Sequence, residues 1–385
     1  MSTTSGGRSL DVLASILSDP NFGDRGDLEK LLLAKVFSQS MHPSDITPFF
    51  YRASKSPQKD DITITTIVTP NRLQRLADLV DHYQGPVSAA VHISTSNATA
   101  CAEMLTALHG IYRSGSLRRY LDVHLVLDPF DRQFNTWRNI ARLFARTDYV
   151  MLLDVDFWLC TDFGSALKKR ASREVVAKLD GGNAALVIPA FEYTKQEEGR
   201  DPSLFPRDKE TLLSLVRQER LGMFHRSWAP GHNSTDYNRY YAAPPGQVYR
   251  VTQYQAAYEP YVIFKKDGPP WCDERFVGYG GNKAACLFEM YISGMSFYVL
   301  ADHFIIHQSH AYEEEARRVE RKYNRKVYAD FKEETCIRYI RRFYEEGTLG
   351  GPDGYNAQSE CTKIKSVVRF VSEVEYLLGQ SHKYH

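Results

Sequence analysis

Apolar and polar positions alternate along residues 61–156 in a pattern that predicts strands and helices in turn. Short runs of β-branched and apolar residues predict buried strands, and the segments between them carry apolar residues at the spacing of amphipathic helices. The predicted strands are 62–68, 87–93, 123–127 and the run that ends at Asp154, and the predicted helices lie near 72–83, 100–112 and 136–146. This series predicts an α/β fold in which a mostly parallel central sheet carries helices on both faces. Ligands of such sheets bind beyond the carboxyl ends of the strands.

The pattern loosens beyond Asp156. One more apolar run, 184–191, is followed by a polar stretch rich in aromatic residues, 193–258, and long irregular segments of this kind are usually functional loops or lids. Regular spacing then predicts a helix near 283–293, strands at 297–300 and 304–307, a long charged surface helix over 313–346 and a last helix near 363–378. The chain is therefore predicted to divide into a helical N-terminal extension with a linker (1–60), one large α/β domain (61–345) and a helical C-terminal extension (346–385).

Charge and composition narrow the classes of function. With 48 Lys and Arg against 47 Asp and Glu, the chain has no overall field that would attract nucleic acid or an anionic membrane, so an anionic ligand must be held by a local site. No run approaches the roughly 20 apolar residues of a membrane span. The six cysteines show no C-x-x-C spacing, which argues against a zinc module, does not demand a disulfide framework and leaves the redox compartment open.

The most informative segment is YVMLLDVDF (149–157), where an apolar run ends in D-V-D at Asp154 and Asp156. In an extended backbone side chains i and i+2 point the same way, so the two carboxylates are predicted to converge at the ligand edge of the sheet and to hold a divalent cation. His307, which also ends an apolar run, is the predicted third ligand, and a mixed carboxylate and imidazole set suits manganese better than calcium. His310 is predicted to bind a phosphate. The alternative is a strand-end turn with solvated acids, because a single D-x-D also arises by chance.

A glycine-rich turn in PPWCDERFVGYGGNK (269–283) supplies a second group of candidate residues. Glycines let the backbone approach a ligand closely, and a helix N-terminus offers free N–H groups to an anion. A carboxylate beside such a turn is well placed to act as a general base for an acceptor hydroxyl. The predicted base is Asp273 or Glu274, and the residues predicted to contact an anionic ligand are Gly280, Asn282 and Lys283. The alternative is an ordinary glycine-rich loop with solvated acids.

Aromatic and polar residues alternate in HRSWAPGHNSTDYNRYYAA (225–243), a composition that suits sugar rings and their hydroxyls, and equally an aromatic loop packed on the body of the protein. The predicted acceptor contacts are Trp228, His232 and Tyr237. Arginine suits phosphate or base recognition, and three residues that follow the first strand or open the helix before the D-x-D strand are predicted to lie at the ligand edge. These are Arg72, Arg138 and Asn139.

Together these segments resemble glycosyltransferase family 49, which contains the β-1,4-glucuronyltransferase and the glucuronyltransferase domain of LARGE. The resemblance covers about 62–343 and is carried, in one order along the chain, by ITITTIVTPNRLQRL, FNTWRNIA, MLLDVDF, SWAPGHNSTDY, YEPYVIFKKDGPPWCDERFVGYGGNK and HFIIH. It implies a GT-A type, Rossmann-like fold. It also implies a manganese-dependent, inverting transfer from a UDP-sugar, UDP-glucuronic acid in the known members, to a hydroxyl of a glycan or glycoconjugate.

The resemblance also implies roles for residues by position. Asp154 and Asp156 match the family's metal-binding D-x-D, and His307 matches the histidine after its last core strand. Asp273 matches the acid before the family's F-x-G-[YF]-G turn and is our choice for the base, with Glu274 as the substitute. The family implies a Golgi location. This sequence lacks the family's usual N-terminal anchor, so a cytoplasmic location is the alternative.

Two other classes of function remain open from the sequence. A catalytically inactive, sugar-binding relative of the fold would bind ligands without turnover. A glycoside hydrolase would need two carboxyl groups flanking the scissile bond and no nucleotide. Manganese-dependent release of UDP separates a transferase from both. The sequence does not specify the donor sugar, the acceptor or the oligomeric state.

Overall fold

The computed structural model describes residues 45–113, 115–129, 132–168, 173–310 and 314–369, and within them thirteen β-strands form two sheets. In chain order the strands are β1 (Asp45–Tyr51), β2 (Ile62–Val68), β3 (Val87–Ser94), β4 (Leu121–Asp128), β5 (Tyr149–Leu152), β6 (Phe157–Leu159), β7 (Ala184–Ile188), β8 (Ala190–Tyr193), β9 (Leu221–Met223), β10 (Val248–Arg250), β11 (Tyr261–Lys265), β12 (Ser296–Leu300) and β13 (Ile305–His307).

The central sheet has the strand order β1-β4-β3-β2-β5-β11-β7-β12-β10. The neighbours β4, β3, β2 and β5 are parallel, and β7 and β12 are parallel to each other. Because β11 is antiparallel to both β5 and β7, these last two strands run the same way. Six of the nine strands therefore share one direction, which confirms the mostly parallel sheet.

Helices connect the strands as the sequence predicts, with boundaries that differ by a few residues. A 3₁₀ turn, Pro70–Arg72, precedes the first helix. The α-helices are α1 (Leu73–Tyr83), α2 (Ala98–Tyr112), α3 (Gly115–Tyr120), α4 (Phe134–Leu143), α5 (Phe163–Lys168), α6 (Arg173–Asp180), α7 (Lys209–Arg217), α8 (Tyr237–Ala242), α9 (Asn282–Ile292), α10 (Glu314–Glu345) and α11 (Tyr355–Cys361).

Alternate residues of β3 show that helices cover both faces of the sheet. Val91 and its neighbours at alternate positions pack in the same buried cluster as Leu76 and Val80 of α1. Ala90 points the other way and packs against Trp137 of α4. Side chains alternate between the two faces of a strand, so each face buries its own helix layer.

The small sheet, in the order β6-β13-β8-β9, begins where β5 of the central sheet ends. Strand β7 of the central sheet and strand β8 of the small sheet come from one predicted apolar run, 184–191, which breaks at Pro189 so that its second half joins the small sheet. Proline lacks the N–H that a central strand would need, which explains the break. The small sheet thus meets the central sheet next to the D-x-D segment.

Two segments differ from the sequence-based expectation. Residues 45–51 fall in the predicted linker, yet they form β1, which pairs antiparallel with β4 at the edge of the sheet. The aromatic stretch 193–258 is not irregular throughout, because it contains α7, β9, α8 and β10. Residues 1–44 of the predicted helical N-terminal extension lie outside the described residues, as does the end of the helix predicted near 363–378.

Two disulfides hold the C-terminal half together. Cys272 is bonded to Cys286 of α9, and Cys336 of α10 is bonded to Cys361 of α11. The sequence spacing alone could not assign these pairs. The described helices are all too short or too polar to span a lipid bilayer.

Candidate active site

The two aspartates of the D-x-D segment lie in the connection between β5 and β6, at the carboxyl edge of the parallel strands. The extended strand ends at Leu152, and a turn follows in which the N–H of Phe157 donates to the carbonyl of Asp154 at 3.1 Å. The backbone is therefore not extended across the pair, and the two carboxylates meet different partners. The predicted convergence of their side chains assumed an extended backbone, and the turn interrupts that backbone.

Asp156 faces two histidines, His307 at the end of β13 and His310 three residues later. The pairing of β6 with β13 sets Phe157 opposite His307, and the next N–H, of Gln308, donates to the carbonyl of Asp156 at 2.8 Å. One ligand atom each from Asp156, His307 and His310 lie within 4.8 Å of one another. His310 Nε2 is 3.3 Å from Asp156 Oδ2.

Arginines from the first helix surround the same carboxylate. Arg72 Nε lies 2.8 Å and Arg75 Nε 3.2 Å from Asp156 Oδ1. The guanidinium of Arg75 also donates to the carbonyls of Gln308 and Ser309 at 3.3 and 3.2 Å, which fixes the segment that carries the histidines. Burial alone would raise the pKa of Asp156, but His310 and the two arginines outweigh it and the pKa is lowered.

The cluster of Asp156, His307 and His310 fits a divalent cation. One carboxylate and two imidazoles form a donor set that manganese and other first-row metals accept. A carboxyl group binds a metal ion in its ionised form, and an imidazole binds in its neutral form. Burial lowers the pKa of His307 to about 3, so its ring is neutral at physiological pH, and Asp156 is ionised. Compared with the predicted set, His310 joins the cluster and Asp154 lies outside it.

Asp154 is held by a second group of residues. Lys283 Nζ and the hydroxyl of Tyr261 each donate to its Oδ2 at 2.9 Å, and Arg138 Nη2 lies 3.5 Å from its Oδ1. Lys283 is almost fully buried, with its ammonium 3.9 Å from the centre of the Tyr261 ring. Burial raises the pKa of Asp154, yet Lys283 and Arg138 lower it well below its ordinary value. The ion pair of Asp154 and Lys283 therefore places a buried ammonium group at the start of α9, next to the candidate metal site.

Side chains of α4 fix the segment that precedes the glycine turn. Asn139 donates to the carbonyl of Cys272 and to Glu274 Oε1, both at 2.8 Å. Asn135 donates to the carbonyls of Asp273 and Asn282 at 2.7 and 3.0 Å. Asn139, predicted to contact the nucleotide, thus binds the neighbouring loop.

The two predicted bases differ in their partners. Asp273 Oδ1 accepts from the backbone N–H and the Nε of Arg275, both at 2.9 Å, and Arg275 in turn pairs with Glu334 of α10. Glu274 is held by Asn139. A third carboxylate, Glu259, was missed by the sequence analysis. Burial raises the pKa of Glu259, while Lys283 and Arg138 act against this rise, so the residue lies within the electrostatic reach of Asp154 and its partners.

The long helix α10 packs against the glycines of the turn. The side chain of Asn324 donates to the carbonyls of Val277 and Tyr279 at 2.8 and 2.9 Å, and Glu320 accepts from the N–H of Tyr279 at 2.9 Å. A Cβ at each glycine would lie 2.6 to 3.3 Å from an atom of the helix, and the backbone of each has a positive φ. The closest contacts are Gly278 to Glu320, Gly280 to Arg321 and Gly281 to Tyr328. The positive φ values and the close packing of the helix together favour glycine at these three positions.

The aromatic segment places its three predicted residues differently. Trp228 is 62% exposed, in a short 3₁₀ turn at Arg226–Gly231. His232 is buried, and burial, followed by the charge of Lys283, lowers its pKa well below the ordinary value. Tyr237 is also buried, and its hydroxyl donates to the carbonyl of Ala190. Only Trp228 offers a broad aromatic face to a ligand.

His225 is a further site residue that the sequence analysis missed. Its backbone adopts a left-handed conformation with φ of 53°, which is uncommon for a residue with a side chain, and Glu192 accepts its N–H at 2.9 Å. Burial, then Lys283, Arg321 and Arg317, lower its pKa to about 4. No sequence pattern predicts this conformation.

An open cavity of about 570 Å³ lies on the same segment and is lined by Arg226, Asp236 and Tyr237 among others.

Comparisons with known proteins converge on one family. The family model described as "Glycosyl-transferase for dystroglycan" matches residues 61–133 and 130–340. Among curated relatives, the xylosyl- and glucuronyltransferase LARGE2 of Mus musculus is 35% identical over 276 residues, which are 71% of this chain and 37% of the relative. LARGE2 of Homo sapiens is 34% identical over 267 residues (66% and 34%), and LARGE1 of Danio rerio is 31% identical over 282 residues (71% and 34%). The chain thus spans little more than a third of the length of these relatives.

Among solved structures, the crystal structure of GalNAc-T7 with UDP, GalNAc and Mn²⁺ is similar with a TM-score of 0.38 at 12% identity, over 66% of this chain and 45% of the other.

Proposed function

Because this chain belongs to the family of glycosyl-transferases for dystroglycan, we propose that it is a metal-dependent, inverting glycosyltransferase. It moves a sugar, glucuronic acid, from a UDP-sugar to a hydroxyl of a glycan. The observation that carries the proposal is the cluster of Asp156, His307 and His310 at the carboxyl edge of the sheet, beside the buried ion pair of Asp154 and Lys283. Open α/β sheets bind their ligands at this edge.

The donor site uses cations on two sides. Asp156, His307 and His310 would hold Mn²⁺, and a bound Mn²⁺ supplies stabilisation of the negative charge that develops on the diphosphate leaving group. Lys283 and Arg138 add positive charge from the start of α9 and from α4. Asp154 orients Lys283 through a direct hydrogen bond at 2.9 Å.

The reaction is an in-line displacement. The acceptor hydroxyl forms a bond to the anomeric carbon while the bond from that carbon to the diphosphate oxygen breaks, and the electron pair leaves with UDP. Asp273 accepts the proton of the hydroxyl, as the family resemblance implies, with Glu274 as the substitute. Trp228 supplies an exposed aromatic face for the acceptor.

The two D-x-D carboxylates do not suit the acid of a glycoside hydrolase. Such an enzyme needs one carboxyl group that stays protonated to protonate the leaving group. Both Asp154 and Asp156 have a lowered pKa because cations surround them, so neither is protonated near neutral pH. The proposed enzyme works in an oxidising compartment, in agreement with the Golgi location that the resemblance implies, since the chain contains two disulfides, one of which joins the segment before the glycine turn to α9.

A screen of UDP-sugars tests the proposal. We expect UDP-glucuronic acid with Mn²⁺ to raise the melting temperature more than either alone, and purified protein to release UDP only with Mn²⁺ present. Asp156→Asn and His307→Ala should abolish both effects. The matched control is Asp267→Asn, whose side chain is 75% exposed on a distant loop. Binding of the nucleotide without release of UDP under any acceptor would instead support an inactive sugar-binding protein.

A further inference from the structure

The half of α10 nearest the active site carries a concentrated positive charge. Residues 314–329, the first half of α10, contain six basic and three acidic residues, so six minus three gives a local charge of +3, whereas the whole chain has a formal net charge of only +1. All six basic residues and one of the acids lie between 317 and 326. The basic residues are Arg317, Arg318, Arg321, Lys322, Arg325 and Lys326, and the acid is Glu320. We call these six residues the basic flank.

The six side chains share one side of the helix. Successive residues of an α-helix turn by about 100°, so the six fall within about 180° of the helix circumference. Glu320 and Asn324 lie outside this sector and fix the helix to the glycine turn through the hydrogen bonds described above. The exposed Val319 and Tyr323 also lie outside it. The flank is therefore a continuous band along the docked helix.

The band begins at the rim of the proposed active site. The helix starts at Glu314, four residues after His310, and the guanidinium of Arg317 lies 4.3 Å from the centre of the Tyr279 ring. Arg317 and Arg321 are close enough to His225 for their charges to act on it. His225 leads directly into the turn that exposes Trp228.

The basic residues in the two halves of α10 differ in their ion pairs. In the distal half Arg338 pairs with Glu289, Arg341 with Glu345 and Arg342 with Glu346. In the proximal half Arg318, Lys322, Arg325 and Lys326 are exposed and make no ion pair with any residue that the structure describes. Like charges on one helix repel each other, so this arrangement favours an anionic partner.

We propose that the basic flank of α10 binds the anionic part of the acceptor, a glycan chain that carries carboxylate groups. This inference rests on the proposed function, because it takes the cleft beside His225 and Trp228 as the acceptor site. Glycan fits better than nucleic acid or membrane, because the flank continues from that cleft and is a single helix side about 15 Å long. The ring of Tyr279 beside Arg317 and the exposed ring of Trp228, three residues after His225, suit sugar rings, and the chain has no wider positive field.

Direct binding tests the inference without requiring turnover. The probes are a hyaluronan hexasaccharide, in which every second sugar is a glucuronate, and the neutral chitin hexasaccharide of N-acetylglucosamine. We expect the wild type to bind the acidic probe at least about fivefold more tightly than the neutral one, and this preference to disappear at 0.5 M NaCl, where charges are screened. Arg318→Glu/Lys322→Glu/Arg325→Glu should lose the preference.

The control variant is Lys55→Glu/Lys59→Glu/Arg113→Glu, which changes the net charge equally with exposed cations away from α10, and it should bind like the wild type. Manganese-dependent release of UDP without an acceptor reports the donor site alone, and the α10 variant should retain it. Equal affinity for both probes, equal loss in the control variant, or binding to phosphatidylserine vesicles but not to the acidic hexasaccharide would each overturn the inference. Loss of UDP release in the wild type would contradict the proposed function and leave the binding result intact.

Discussion

Removal of the disulfide between Cys336 and Cys361 should lower the free energy of unfolding by a predictable amount. The bond joins α10 to α11, both sulfurs are buried, and the two residues are 25 apart in sequence. In the loop-entropy relation for a crosslinked unfolded chain, a loop of this length corresponds to about 3.5 kcal/mol at 25 °C. The disulfide between Cys272 and Cys286 closes a shorter loop, with a separation of 14, and the same relation gives about 3 kcal/mol.

The assay is urea unfolding followed by circular dichroism, with Cys336→Ala/Cys361→Ala and Cys272→Ala/Cys286→Ala compared with the wild type. Cys101→Ser, at a free and partly exposed cysteine, is the matched control and should change stability by less than about 0.5 kcal/mol. The two disulfides should differ in function. Only the second variant loosens the segment that carries Asp273, so only it should lower the rate of transfer at temperatures where both variants are folded.

A loss of less than about 1 kcal/mol in the Cys336 and Cys361 variant would refute the reasoning for that bond, since the loop-entropy relation would then not govern it. Equal loss of activity in both variants would refute the assignment of the Cys272 disulfide to the catalytic loop.

Three further predictions concern single residues. Burial raises the pKa of Glu289 to about 7, so the folded protein holds this proton more tightly than the unfolded chain; its contribution to stability is full below about 4.5 and is lost as the pH rises through about 7. Glu289→Gln should therefore flatten the dependence of the melting temperature on pH between 4.5 and 8, and parallel curves for the two proteins would contradict this. Trp228→Ala should raise the KM for the acceptor by about fivefold, with unchanged donor-only UDP release and a stability change under about 0.5 kcal/mol, because the ring is exposed; an unchanged KM would show that the acceptor binds elsewhere. Asp273→Asn should lower kcat by about 10² to 10⁴ without weakening UDP binding, and intact turnover would make Glu274→Gln and Glu259→Gln the next variants to measure.

The parallel half of the fold could be predicted because the pattern that specifies each strand or helix lies within that element. The periods of apolar residues mark the strands and helices of the parallel half, and parallel strands end at a common edge, which is why Asp156 and His307 were expected together. The turn after Leu152 separates Asp154 from that cluster, and a turn of a few residues leaves no periodic pattern. The edge strand β1 was missed because its run contains a proline and is only half-buried.

The missed site residues share a different cause. Glu259, Arg75 and His225 reach the site only through tertiary contacts, and none of them belongs to a recognisable spacing of chemical groups in the sequence. The sequence analysis singled out the turn glycines because a ligand could approach them closely, whereas the structure shows a helix packed against them. Their positive φ values and lack of side chains admit α10, and this long-range contact has no local counterpart in the sequence.

The packing of α10 against the glycine turn has a consequence for engineering and for evolution. A segment exchange that replaced residues 269–283 with the equivalent from a relative would bring new backbone against Glu320, Arg321 and Tyr328, and a side chain in place of a turn glycine would strain the backbone and displace atoms of the helix. Functional chimeras will therefore need to carry the turn and residues 317–328 together, as one inherited module assembled from two distant parts of the chain.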